Sequence, residues 1–259
     1  MKYTVFTPTY NRERYLGRLY QSLRAQTYKD FEWLIIDDGS TDNTEQKIKD
    51  YINENEISIR YIRQNNGGKH RAFNRAIEEA KGDFIICVDS DDYLKDYAIE
   101  KIDKFSRVPH GVMALCFLCI DEKGDIIGDE FPKSKSVFNL IDLTYKYKVR
   151  GDKLWVFKRD ILINYRFPEY EGEKFVTEGV LLFQMALKYD IFVVNEALQV
   201  HEYQDDGLTS IGNKKLFKDN PKGAKTYYRL LLKIAPSYKY KLFYIYNYLL
   251  YSLYGRIKW

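Results

Sequence analysis

Glu32-Trp33-Leu34-Ile35-Ile36-Asp37-Asp38-Gly39-Ser40 is an apolar run that stops abruptly on two carboxylates and a glycine. A half-solvated strand alternates apolar with polar residues, so a run this continuous reads as a strand covered on both faces. The flanking sequence repeats the theme. Tyr3 to Thr7 is a short β-rich run, and Tyr15, Leu16, Leu19, Tyr20 and Leu23 recur at helical spacing within Arg14 to Gln26. Asp42-x-x-Glu45 reads as a capping box opening a helix to about Asn53. Ile57 to Arg63 is the next strand, Gly68 to Ala80 the next helix, and Asp83 to Asp89 a further strand. Strands alternating with helices imply right-handed crossovers and a mainly parallel sheet flanked by helices.

Such sheets take their ligands beyond the carboxyl ends of the strands. Those ends read Thr7-Pro8-Thr9-Tyr10-Asn11, then Asp37-Asp38-Gly39-Ser40, then Asn65-Asn66-Gly67-Gly68, then Asp89-Ser90-Asp91-Asp92. One such cluster is an ordinary solvated turn, but several in register along one edge make a site.

Beyond Asp96 the pattern loosens. Ile99 to Phe105 reads as a helix and Val112 to Ile120 as a buried strand, followed by a turn at Glu122-Lys123-Gly124-Asp125. Trp155 to Lys158 and Phe192 to Leu198 read as strands, Phe175 to Lys188 as a helix, and Lys214 to Trp259 as a helical tail.

Composition bounds the function. With 45% hydrophobic and 30% charged residues the chain has a soluble globular balance, and a net charge of +4 is too weak to point to nucleic acid. Cys87, Cys116 and Cys119 sit in apolar runs, so they read as free thiols of a reducing compartment, and Cys116-x-x-Cys119 lacks the further ligands a zinc site needs. The chain enters a strand almost at once and has no apolar stretch of the ~20 residues that spans a bilayer. A cytoplasmic location is the expectation, with peripheral contact at the inner face of the membrane as an option.

Neither Gly-x-Gly-x-x-Gly nor Gly-x-x-x-x-Gly-Lys-Ser/Thr is present, so glycine-rich amides do not hold a diphosphate here. Clustered carboxylates at a strand end suit Mg2+ or Mn2+, which bridge protein carboxylate and diphosphate oxygens. Asp89-x-Asp91 would set two carboxylates on one side of an extended segment. The competing reading is that these acids cap a helix beginning near Tyr93. Asp37-Asp38 can accept from a base imide or from ribose hydroxyls, or can simply organise a turn with Gly39, Ser40 and Asp42.

Five motifs, Thr7-Pro8-Thr9-Tyr10-Asn11, Gln26-Thr27-Tyr28, Glu32-x-x-Ile35-Ile36-Asp37-Asp38-Gly39-Ser40-Thr41-Asp42, Asn66-x-Gly68 and Asp89-Ser90-Asp91-Asp92, resemble glycosyltransferase family 2. The resemblance is strong over about residues 3 to 96 and looser to about residue 210. It implies a GT-A (Rossmann-like) fold, with 1–212 as the catalytic domain and 213–259 as a Tyr-rich, basic helical tail. Residues 1–96 would bind the nucleotide-sugar and residues 97–212 the acceptor. It also implies an inverting, metal-assisted transfer from a nucleotide-diphosphate sugar, UDP-linked by expectation, to a hydroxyl of a glycan or lipid-linked acceptor in cell-surface polysaccharide synthesis. By the same resemblance Pro8, Tyr10, Asn11, Asp38, Asn66, Lys69, Asp89, Ser90 and Asp91 belong to the nucleotide-sugar site. Asp91, with Asp92 and His201, would face Mn2+ or Mg2+.

The family usually offers a Glu-Asp pair as the base region. Glu178 matches the first acid, but Gly179 stands at the second position. Glu178 is therefore the expected base, with Glu173 in reserve; the alternative is that Glu178 merely favours a helix N-terminus. His201 is either a metal ligand or a structural histidine. Trp155, Tyr165, Phe167 and Tyr170 stack on sugar faces or belong to the core, and Phe167 reads as core. Leu242 to Tyr254, with Lys239 and Lys241 before it and Arg256 and Lys258 after it, either lies in a membrane interface or packs on the domain or a second copy. Two other functions stay open. One is a non-catalytic sugar-nucleotide binder, motivated by Gly179. The other is a nucleotidyltransferase, which would want a Gly-rich basic loop where Thr7 to Asn11 stands.

Overall fold

The computed structural model describes residues 1–202, 204 and 207–257. The first half runs β1 (Tyr3–Thr9), α1 (Leu16–Arg24), β2 (Phe31–Asp37), α2 (Thr44–Glu54), β3 (Ile59–Arg63), α3 (Lys69–Glu79) and β4 (Phe84–Cys87). Then come β5 (Tyr93–Leu94), α4 (Ala98–Phe105), β6 (Val112–Ile120), β7 (Val137–Phe138), α5 (Leu140–Tyr145), β8 (Lys153–Lys158) and α6 (Arg159–Leu162). The chain continues through α7 (Gly179–Ala186), β9 (Asp190–Val200), α8 (Leu208–Ile211), α9 (Asn213–Asp219), α10 (Pro221–Ile234) and α11 (Tyr238–Ile257).

The strands form one nine-stranded sheet in the order β3-β2-β1-β4-β8-β6-β9-β5, with β7 on β9. From β3 to β4 all pairings are parallel, as the strand-helix alternation requires. The second half is mixed. β8 is antiparallel to β4 and β6, β9 is parallel to β6, and β5 and β7 are antiparallel to β9. Antiparallel neighbours need no helical crossover, which is why the alternation fades there.

β2 is buried along its whole length because both faces are covered. Val5, Trp33 and Ile35 pack with Leu19 and Ile48 on one face, and Phe6, Leu34 and Ile36 pack with Phe73 and Ile77 on the other. The buried Glu32 is reached by Thr4 Oγ1 at 2.7 Å, the Lys81 amide at 2.9 Å and Arg60 at 3.2 Å, which offsets its desolvation. The three cysteines are free, and Cys116 and Cys119 are buried. Phe167 is core, 3% exposed.

Local expectations shift in three places. The capping box does not form: Asp42 accepts from the Thr44 and Glu13 amides, and Glu45 turns outward to Lys49. The helix expected from Phe175 begins only at Gly179, because Lys174 and Phe175 give their amides to the Asn220 side chain. The tail breaks into α9, α10 and α11 at Pro221 and near Pro236, since proline cannot continue a helix from its N-terminal side. Its last two residues lie outside the described ones.

Candidate active site

β2 and β4 flank β1 on opposite sides, so the connections leave β1's neighbourhood in opposite directions. A doubly wound sheet opens a crevice at such a switch point. Its walls here are the segments after β1 and β4, with the loop after β2 alongside.

The loops are tied together by their own polar groups. Asn11 sits in the left-handed region at φ 53°, a conformation Asn tolerates. Its amide donates to Ser40 Oγ at 2.9 Å and its Oδ1 accepts from the Thr41 amide at 2.7 Å, joining the first two loops. Pro8 is half-buried and Thr9 buried at the end of β1, and Tyr10 projects outward, 46% exposed. Asp37, not Asp38, makes the turn: it accepts from the Ser40 amide at 2.8 Å and from the Tyr61 hydroxyl at 2.6 Å.

Asp38 builds the next loop. Its carboxylate, 4% exposed, accepts from the Gly67 amide at 2.9 Å, the Gly68 amide at 2.6 Å and the Gln64 side chain at 2.8 Å. Asn66 donates to the Asp38 carbonyl at 2.9 Å and accepts from Lys174. Gly68 is obligatory: φ is 97°, and a Cβ there would stand 1.8 Å from the Lys174 carbonyl. The loop after β3 is thus packed directly against residues 170–178 from the second half.

Asp89 to Asp92 forms a turn rather than an extended segment, closed by the Asp92 amide on the Asp89 carbonyl at 3.1 Å. No helix follows it directly. β5 comes next, and α4 has no side-chain cap, so these acids are not capping residues. Ser90 is buried at 4%. Burial, and then Asp89, push the Asp91 carboxyl above its ordinary range. Asp89 Oδ2 is held by Lys69 at 2.7 Å, while its Oδ1 is buried without a hydrogen-bond partner.

Asp92 and His201 depart from the expected metal set. Asp92 points inward, accepting from Gln199 at 2.8 Å and from the Glu202 amide at 3.2 Å. Burial, and then Asp89 and Asp91, raise its pKa. The His201 ring spends both nitrogens on the same cluster, Nδ1 lying 3.4 Å from Asp92 and Nε2 3.0 Å from the Gln199 amide. Burial lowers its pKa. Among the described residues no three His, Cys, Asp or Glu side chains are grouped to hold a metal ion.

Lys69 opens α3 at the end of its loop and reaches two acids at once. Its ammonium lies 2.7 Å from Asp89 and 2.9 Å from Glu178 Oε1. Glu178, half exposed, therefore shares one cation with the acidic turn. Glu173 does not join them. It is 6% exposed and accepts from the Lys222 and Gly223 amides at 2.7 and 2.8 Å, capping α10 and correcting its reserve assignment as a base. Gly179 also gains a reason: a Cβ there would stand 2.7 Å from the Tyr227 ring. Tyr227 and Gln199 carry no motif of their own, and the one sequence signal of Tyr227 was the glycine it enforces.

The comparisons with known proteins match this arrangement. The glycosyl transferase family 2 pattern matches residues 4–166, more than half of the chain. The chain belongs to glycosyltransferase family 2. Among its relatives in the family is poly(ribitol-phosphate) beta-N-acetylglucosaminyltransferase TarS of Staphylococcus aureus, 35% identical over 117 residues, which are 44% of this chain but only 20% of that protein. The GalNAc(5)-diNAcBac-PP-undecaprenol beta-1,3-glucosyltransferase of Campylobacter jejuni is 25% identical over 227 residues, 84% of this chain and 70% of that one. The S. aureus TarS 1-349 crystal structure with UDP-GlcNAc superposes with a TM-score of 0.71 at 23% identity, covering 96% of this chain and 72% of that one. The mannosyltransferase PcManGT of Pyrobaculum calidifontis, in complex with GDP-Man and Mn2+, gives a TM-score of 0.64 at 16% identity, with 98% of this chain and 73% of that one covered. These likenesses establish the GT-A fold for this family 2 glycosyltransferase.

Proposed function

We propose that this family 2 member is an inverting transferase carrying a sugar from a UDP-linked donor to a hydroxyl of a glycan or lipid-linked acceptor, in cell-surface polysaccharide synthesis on the cytoplasmic side. The observation that carries the reading is the shared ammonium of Lys69. It joins Asp89, on the wall where the donor would sit, to Glu178 of the second half. Pro8, Tyr10 and Asn11 would border the nucleotide, and Asp38 and Asn66 would shape the loop beside it. UDP and UDP-GlcNAc in the TarS structures support a uridine donor. The acceptor named for the Campylobacter relative supports a lipid-linked one.

A divalent cation fits this wall. Asp89 Oδ1 is a buried acceptor without a donor, and the Asp91 carboxyl is raised first by burial and then by Asp89, so a cation there would meet acceptors it can satisfy. Asp91 and Asp89 would hold Mn2+ or Mg2+, with Asp92 and His201 backing the turn from behind. When bound, the cation neutralises charge gathering on the leaving diphosphate. The rest of the chemistry falls to side chains. Glu178 takes the proton of the acceptor hydroxyl while its oxygen bonds to the anomeric carbon. The bond to the diphosphate breaks on the opposite face, which inverts the configuration. Lys69 holds Glu178 against the donor wall.

Gly179 motivates a second reading, a member that binds the donor without transfer. Tyr227 gives the glycine a steric reason instead, since a Cβ there would stand 2.7 Å from its ring. Glu178→Gln decides between the two. Transfer should fall by roughly 10²–10⁴-fold with UDP-sugar affinity retained in calorimetry. Turnover equal to the parent's would remove Glu178 as base.

A further inference from the structure

Past Lys241, α11 is apolar or tyrosine-bearing around most of its circumference up to Tyr254, more than one packed face needs. Only one side is covered. Tyr244, Asn247 and Tyr251 turn inward, where Tyr244 and Tyr251 pack on Tyr228 of α10. The opposite side carries Tyr238, Leu242, Ile245, Tyr246, Leu249 and Leu253 at intervals of three and four residues, each 43–83% exposed. Over the 15 steps from Tyr238 to Leu253, at about 1.5 Å per residue, the stripe is roughly 22 Å long. Isolated exposed leucines are ordinary, but a continuous stripe of this kind marks an interaction surface.

Charge selects what it meets. No Asp or Glu follows Asp219, whereas Lys and Arg recur from Lys222 to Lys258. Arg229, Lys233, Lys239 and Lys241 are exposed beside the stripe and the α10–α11 turn. A second copy laid on this face would set cations against cations with no acid to answer them. An anionic bilayer answers both features: the aliphatic side chains enter the acyl boundary, tyrosines sit at headgroup level and lysines meet lipid phosphates. No described helix is long and apolar enough to cross a membrane, so the contact lies along the surface.

We propose that the outward face of α11, with its flanking lysines and arginine, docks this enzyme on an anionic membrane surface. The docking is coupled to the candidate site. α10 is pinned by Glu173 on its first amides and by Asn220 on the Lys174 and Phe175 amides, in the segment that leads to Glu178. A helix pair lying on the bilayer would fix the height and tilt of that segment over the lipid.

The proposal stands apart from the donor-site reading, and its test uses no sugar. The full chain is sedimented with phosphatidylcholine vesicles, with and without phosphatidylglycerol, at low and raised salt. Binding is expected to the anionic vesicles only and to weaken with salt. The double substitution Leu249→Ser and Leu253→Ser should lower vesicle affinity by roughly tenfold or more while leaving the unfolding midpoint unchanged. A Lys239→Gln and Lys241→Gln chain keeps the apolar stripe, so its binding should weaken and lose most of its salt dependence. Failure to bind anionic vesicles overturns the proposal, as does binding that the leucine substitutions leave intact. Light scattering that shows a dimer dissolved by the leucine substitutions, without vesicle binding, would give the face to a second copy instead.

Discussion

Lys69 is where single residues matter most, because one ammonium stands between two carboxylates that would otherwise face each other. Asp89 and Glu178 raise the Lys69 pKa well above its ordinary value against the opposing effect of burial, so it stays charged across the working range. Lys69→Met removes hydrogen bonds to charged groups worth about 1.5–3 kcal/mol each. It should reduce kcat/KM by roughly ten- to a hundredfold, measured by steady-state transfer from UDP-sugar; an unchanged kcat/KM would detach Lys69 from the reaction. His70, the next residue, is buried with both ring nitrogens unpartnered. Burial first, and then Arg71, hold its pKa below the usual 6.5. A pKa lowered in the folded state means the unfolded chain takes up the proton first. The stability from His70 is therefore complete above pH 6.5 and is lost as pH falls through the folded value. Melts of the parent between pH 7 and pH 5 should drop more steeply than those of His70→Leu, by at most about 1.4 kcal/mol per pH unit. Parallel profiles would place the acid sensitivity elsewhere.

At the scale of elements, α7 and α10 show how a helix start can be chosen by its neighbour. α7 begins at a glycine because the Tyr227 ring of α10 leaves no room for a Cβ. Gly179→Asp should cost about 1–3 kcal/mol of stability in denaturant unfolding, the usual range for overpacking. Tyr227→Ser in the same chain should return part of it, as contacting residues do in a double-mutant cycle. Additive effects would deny the contact. These elements also mark how far the sequence could be read. The long periodic stretches of the first half stand where the apolar spacing puts them. β5 and β7, two residues each, carry too short a pattern to be seen. Glu173 and Glu178 are indistinguishable by type and lie five positions apart in one segment. Only the position of α10 makes one a cap and leaves the other facing Lys69.

The whole molecule couples its halves through residues 170–178, which touch the loop after β3 at Gly68 and Asn66 and the tail at Asn220. Ligand binding at the acidic turn should therefore stabilise the molecule globally. With UDP and Mn2+ at a hundredfold excess over Kd, unfolding free energy should rise by about 2.7 kcal/mol, seen as a higher melting midpoint. Asp91→Asn should remove the part that depends on Mn2+; the same shift in that variant would move the cation elsewhere. What the sequence alone determined was local: the buried β2, the strand-helix alternation through β4, the polar edge at the strand ends and the free thiols. Each follows from side-chain period or short-range backbone chemistry, which neighbours in the chain already contain. The tertiary structure decided who spends which lone pair. Asp38 folds a loop, Asp92 and His201 turn to Gln199, Glu173 caps α10, and Lys69 finds Glu178 more than a hundred residues away. A carboxylate has a fixed number of acceptor positions, and partners brought in by the fold determine which of them remain for chemistry.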